Sequence, residues 1–163
     1  MLAIQTILHP TDFSERSQYG FRLACSLARD YGARLVDLHV AEPPTAVAAE
    51  GVLMPPPTVD LEPLRKRLQQ LRPEDQKVLV EHLLVQGGAA EEILQVAQER
   101  KCDLIVMGTH GRTGLGRLLM GSVAEQVVRK ASCPVLTVKT PQPSMPSHEE
   151  PIVAPGKGAE ATK

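Results

Sequence analysis

The sequence predicts an α/β protein, an open and doubly wound five-stranded parallel sheet. Three observations carry that prediction. Apolar strand-like runs alternate strictly with amphipathic stretches of helical period over the first 140 residues. The runs are apolar and separated by helices, as in parallel sheets covered on both faces. A cluster of glycines follows the fourth run directly, at the carboxyl end of a strand, where such sheets hold their ligands.

The first strand is read over Ala3 to Leu8 and stops at Pro10, which cannot continue a central strand. A helix follows from Ser14 to Tyr31, with Gly20, Leu23, Ala24, Leu27, Ala28 and Tyr31 recurring at three and four and Gly32 as its C-cap. Arg34 to Val40 is the second strand. Glu42 to Thr58 carries five prolines (Pro43, Pro44, Pro55, Pro56, Pro57) and reads as a long mobile loop, placed where it could lie over the crevice. Asp60 is expected to cap a helix running to Leu71, with Pro63 tolerated in its first turn. Lys77 to Val85 is the third strand. Gly87 and Gly88 separate it from a helix over Ala89 to Arg100, and Asp103 to Met107 is the fourth strand. A last helix is expected from Ser122 to about Ala131, and a fifth strand over Pro134 to Lys139. Residues 1–140 form one domain on this reading. Residues 141–163 are rich in Pro, Ser, Gly and charge and read as a disordered tail.

Composition narrows the function. The 163 residues hold 18 basic and 19 acidic side chains, a net charge of -1, so there is no bulk positive field for nucleic acid or an anionic membrane. Phe13, Tyr19, Phe21 and Tyr31 are the only aromatics, too localised for a base-stacking platform. No apolar run approaches the roughly 18 to 20 residues of a membrane span. Cys25, Cys102 and Cys133 form no Cys-x-x-Cys pair, and with no leader-like start the expectation is a reducing cytoplasm. The five histidines lack zinc-site spacing, so no structural metal is expected.

The chemistry lies in GTHGRTGLGRLLMGSV. Gly108, Gly111, Gly114, Gly116 and Gly121 leave main-chain N–H groups open to an anion, and Arg112 and Arg117 add positive charge. Ser122 and Glu125 read as a capping box, which would aim a helix N-terminus at the same place. A phosphate site follows, although an ordinary flexible turn is the plain alternative for any glycine-rich loop. Gly111 to Gly116 has P-loop spacing but continues with Arg117 and Leu118, so it is not a Walker loop. Leu119 stands where a dinucleotide fingerprint needs its third glycine. Asp12, taken alone, reads as a cap or turn residue before the first helix. His9 and Cys25 read as structural, and His110 as a solvent-facing loop residue.

Gly108, two residues, Gly111, nine residues, then Gly121-Ser122 resembles the nucleotide-binding signature of the universal stress protein family. ILHPTDFSE (Ile7 to Glu15) is similar to the family's first strand and its Asp, and SCPVLTVK (Ser132 to Lys139) to its last strand. The resemblance implies strand order 3-2-1-4-5, an adenine nucleotide alpha hydrolase-like fold, and an adenine nucleotide at the reversal between the first and fourth strands. It implies that Pro10, Thr11 and Asp12 border the adenosine, with the Asp12 carboxylate on the ribose hydroxyls. Val40 and Met107 would meet adenine. Gly108, Gly111, Arg112, Gly121, Ser122 and Val123 would hold the phosphates. ATP is the expected ligand, with ADP or AMP as alternatives and Mg²⁺ accompanying the phosphates. The expected role is an ATP-binding stress-response regulator that forms a homodimer through its fifth strand. The alternatives are a nucleotide-free dimeric interaction module and a slow ATP hydrolase. A Walker Lys, a His-x-Gly-His pair and a Ser-Gly-Gly-x-Asp loop are all missing, so efficient turnover is not expected.

Overall fold

A computed structural model describes residues 3–43, 48–49, 52–53, 59–109 and 120–139. The elements in chain order are β1 (Thr6–Pro10), α1 (Glu15–Tyr31), β2 (Arg34–Ala41), β3 (Ala48–Ala49), β4 (Val52–Leu53), α2 (Glu62–Gln69), β5 (Val80–Gln86), α3 (Ala89–Glu99), β6 (Leu104–Gly108), α4 (Ser122–Lys130) and β7 (Val135–Val138). The five longer strands form one parallel sheet in the order β5-β2-β1-β6-β7. Counted among those five alone, this is the expected order 3-2-1-4-5.

Alternating side chains of the sheet feed two cores. Ile7, Leu35 and Val106 face Phe21, Ala24 and Ala28 of α1, while Leu8, Val36, Leu38, Ile105 and Met107 face Ile93, Val96 and Ala97 of α3 and Ala124 and Val127 of α4. Burying one large aliphatic or aromatic side chain in such a core stabilises by roughly 1.5–3 kcal/mol. The helices therefore lie on two faces, with α1 on one and α3 and α4 on the other. The winding reverses between β1 and β6, which pair directly through Ile7↔Leu104 and Leu8↔Ile105.

The local signals explain most boundaries. The Ser14 hydroxyl accepts from the Ser17 N–H at 3.2 Å and caps α1. Gly32 ends it at φ +65, a left-handed conformation suited to glycine, and the Ala33 N–H donates to the Ala28 carbonyl at 2.8 Å.

Three expectations need correction. Asp60 does not cap α2: the N-cap is Leu61, and the Asp60 carboxylate instead accepts from the Glu62 N–H at 3.0 Å, a turn that shifts the helix start along the chain. The Ser122–Glu125 capping box does not form, because Gly121 takes the N-cap and moves Ser122 into the first helical position. The segment read as one irregular loop, 42–58, contains the antiparallel pair β3 and β4, with Ala48 opposite Leu53 and Ala49 opposite Val52. Its prolines flank the pair instead of interrupting it. The first and third strands also begin later than expected, at Thr6 and Val80. A turn in which Asp75 accepts from Lys77 and Val78 occupies the residues before β5. The expected tail, 141–163, lies outside the described residues.

Candidate functional site

Two connections leave the carboxyl ends of the paired strands β1 and β6 toward opposite faces, and most of the expected residues lie at or next to those ends. On the β1 side Pro10 is half-buried, Thr11 is buried and Asp12 is half-buried. Thr11 is fixed three times. Its N–H donates to the Leu38 carbonyl at 2.8 Å, its carbonyl lies 2.7 Å from His39 Nδ1, and its hydroxyl lies 3.0 Å from that of Ser17. That same hydroxyl accepts from the Phe13 N–H at 3.1 Å.

Asp12 Oδ1 accepts from the Ser14 N–H at 3.0 Å, so Asp12 makes a turn ahead of the capping residue and is not itself the cap. Burial pushes its carboxyl up, yet the Ser14 hydroxyl and N–H, the Ser17 hydroxyl and its own N–H favour the anion and together carry it below the usual 3.8. A carboxylate held ionised at the lip of a crevice is an acceptor for hydroxyl groups.

The β6 side is backbone. Met107 is buried in the core that β6 shares with α3 and α4, and Gly108 ends the strand half-buried. The Thr109 N–H donates to the Val138 carbonyl at 3.2 Å, and its carbonyl accepts from the Gly121 N–H at 2.8 Å. The chain thus departs at Thr109 and rejoins the same point at Gly121. Gly121, in extended conformation, is the N-cap of α4, and the first intrahelical bond runs from the Glu125 N–H to the Gly121 carbonyl at 2.9 Å. The N–H groups of Ser122, Val123 and Ala124 precede that bond and point out of the helix end, carrying the positive pole of its dipole. Ser122 is exposed, while Val123 is half-buried against the core. Losing the capping box leaves this end less satisfied from within, which suits it to an anion.

Val40, on β2 next to β1, is half-buried and packs against the same core as Met107. Pro10, Thr11, Asp12, Val40, Met107, Gly108 and Gly121 therefore lie on strand ends or connections at the carboxyl side of the sheet, and Ser122 and Val123 in the first turn of α4. Gly111 and Arg112 lie outside the described residues, as does His110. No group of three or more His, Cys, Asp or Glu suited to a metal ion occurs among the described residues.

A buried polar cluster behind the loop was not foreseen. His9 and Asp37 are direct cross-strand partners, both fully buried, with Nδ1 2.7 Å from Asp37 Oδ1. His9 Nε2 donates to the Ser17 carbonyl at 3.0 Å, since that oxygen can only accept. Asp37 Oδ2 lies 3.9 Å from His82 Nε2 and has no hydrogen bond among the described residues. The pair ties β1 and β2 to the first turn of α1, which confirms a structural role for His9. Register is what reveals it: nothing in RLVDLHV distinguishes Asp37 from a polar residue on an outer face.

Comparison with known proteins agrees with this architecture. The family model described as "Universal stress protein family" matches residues 3–139. A universal stress protein of Methanocaldococcus jannaschii is 36% identical over 140 residues, covering 83% of this chain and 82% of its own length. The solved structure of UspA from Lactobacillus plantarum superposes with a TM-score of 0.65 at 24% identity, over 83% of this chain and 98% of that one. A universal stress protein solved in complex with cAMP gives a TM-score of 0.62 at 26% identity, over 83% and 97% of the two chains. With the family model spanning β1 to β7, this chain belongs to the universal stress protein family.

Proposed function

We propose that this protein binds an adenine nucleotide, ATP in the first place, in the crevice between β1 and β6, and acts in stress response as a regulator whose state depends on occupancy. The observation that supports the reading is the direct pairing of β1, which leads into an ionised Asp12, with β6, which ends at Gly108 and is tied through Thr109 to Gly121 at the N-terminus of α4. An acceptor on one side and main-chain donors on the other match the two ends of a nucleotide, ribose hydroxyls and phosphates. The cAMP held by a relative of 26% identity supports an adenine nucleotide as the class.

In this reading Pro10 and Thr11 border the adenosine, Asp12 accepts from the ribose, and Val40 offers apolar surface to the base with the buried Met107 in the core behind it. Gly108, Gly111, Arg112, Gly121, Ser122 and Val123 hold the phosphates. Asp12 committed to the ribose leaves no second carboxylate among the described residues of the crevice, so Mg²⁺ would be held mainly by phosphate oxygens and water. The edge strand β7, with Leu136 partly exposed, supports a homodimer formed by pairing two such edges.

Isothermal titration with ATP, ADP and AMP in the presence of Mg²⁺ tests the assignment. A dissociation constant in the micromolar range is expected, about 8 kcal/mol of binding free energy. No heat at millimolar nucleotide would remove the proposal. Mass spectrometry of nucleotide retained through purification identifies which of the three is held.

A further inference from the structure

The loop after β1 is held in an uncommon shape by groups from two other elements. Phe13 has φ +63, the left-handed region that a bulky L residue adopts only where its surroundings over-determine it. Its ring is 5% exposed and lies 4.3 Å from the His39 ring, centroid to centroid, with the guanidinium carbon of Arg67 over it at 4.5 Å. Its neighbours on either side, Asp12 and Ser14, are joined by a turn, with Thr11 just before them. Thr11 binds His39 through its carbonyl, and the Ser14 N–H orients Asp12 Oδ1. Arg67 itself is exposed, on a helix whose one buried residue is Leu68.

We propose that Phe13 and Arg67 are positioning residues for the Asp12 carboxylate, with the guanidinium on α2 keeping Phe13 left-handed against the His39 ring. This rests on the reading of Asp12 as the ribose acceptor. Relaxation of Phe13 to negative φ would turn the peptide that joins it to Asp12 and separate Oδ1 from the Ser14 N–H. With the cation withdrawn, one side of an otherwise buried ring meets water and the left-handed conformation loses a support. Nucleotide affinity then depends on whether α2 is docked. By reciprocity, an occupied crevice holds α2 in place more firmly.

The test compares the parent chain with Arg67→Ala, Arg67→Lys and, on the same helix, Arg65→Ala, by titration with Mg²⁺ and ATP and by amide hydrogen exchange without nucleotide. Arg67→Ala is expected to weaken ATP binding about threefold to tenfold, and Arg67→Lys to recover most of the loss because an ammonium still sits over the ring. Arg65→Ala should match the parent. In the nucleotide-free chain the Phe13 and Ser14 amides should exchange faster in Arg67→Ala. Unchanged affinity in Arg67→Ala, an equal loss in Arg65→Ala, or unchanged exchange at Phe13 and Ser14 would each overturn the proposal. A parent chain that binds no nucleotide would remove the functional reading above. Exchange alone then decides, acceleration upholding the positioning role and its absence overturning it.

Discussion

Asp12 is a carboxylate that folding makes more acidic, and this sets the sign of its pH dependence. Because the folded group titrates below 3.8, its stabilising effect is fully present above that pH and is lost as pH falls through the folded value. Asp12→Asn keeps an acceptor for the Ser14 N–H but removes the charge. Acid unfolding followed by circular dichroism should show the parent more stable than this variant above about pH 3.8, the gap closing below it. Between about pH 5 and pH 8 the gap should be flat, because the carboxylate is ionised throughout. Asp37 makes a different prediction. Replacing it by Ala leaves a buried imidazole nitrogen without its partner, at a cost of about 1–3 kcal/mol. Asp37→Asn can donate an amide hydrogen to Nδ1 of a neutral His9 and should lose much less in denaturant titration. The cysteines are at the opposite extreme of reactivity. Burial, with Asp37 and Glu74 nearby, pushes the Cys25 thiol up to about 12, and burial beside Cys133 pushes Cys102 up to about 11. Neither is a thiolate at neutral pH, so both should resist alkylation by iodoacetamide until the chain is unfolded. Rapid labelling of the folded protein would contradict this.

At the scale of elements, α1 and α4 show what periodicity and capping can and cannot tell. The buried stripe Gly20, Phe21, Ala24 and Ala28 is close to the one that a three-and-four spacing implies, and Gly32 closes α1 as expected. Gly20 is small for a reason outside its own helix. A methyl group there would stand 3.2 Å from His9 Nε2, on a ring fixed at both nitrogens. Gly20→Ala should therefore lower the thermal midpoint, even though Ala is favoured over Gly by about 1 kcal/mol within a helix. In α4 the Ser-x-x-Glu pattern points one residue too far along the chain, because a residue that can cap competes with any neighbour whose extended backbone already does so. Gly121 has φ -61, which any residue adopts, so its smallness is not required by the backbone. Gly121→Ala should leave the thermal midpoint nearly unchanged while weakening nucleotide binding, since a methyl group would intrude where the proposed site receives phosphate. Equal affinity in that variant would count against the phosphate assignment. The hairpin β3–β4 was hidden because its four residues sit among prolines, whose breaking effect dominates a composition reading.

For the molecule as a whole, strand order places the chemistry. Local patterns expose each strand, but the adjacency of β1 and β6 joins residues almost a hundred positions apart, and no local pattern carries that. A family resemblance supplied it, and the sheet agrees. Gly111, Gly114 and Gly116 lie outside the described residues. The proposed site was legible in the sequence as far as it rests on Asp12, Gly108, Gly121 and the strand ends. The clamp behind it was not, because His9, Asp37 and His39 meet only once β1 and β2 are in register. Among the described residues helices cover both faces of the sheet, and β5 and β7 are its edge strands. If two β7 edges pair in the proposed homodimer, Leu136→Glu should shift sedimentation at micromolar concentration toward the monomer, with little loss of thermal stability because Leu136 is already 38% exposed. A variant that still sediments as a dimer would point to another interface.

The bond between the Thr109 carbonyl and the Gly121 N–H has a practical consequence. A stretch whose two feet stand side by side can be exchanged like a cartridge, since added length costs only a slowly growing closure entropy. If the proposed phosphate site is right, grafting a relative's segment between Thr109 and Gly121 is expected to change the preference among ATP, ADP and AMP while leaving the thermal midpoint of the sheet and helices nearly unchanged.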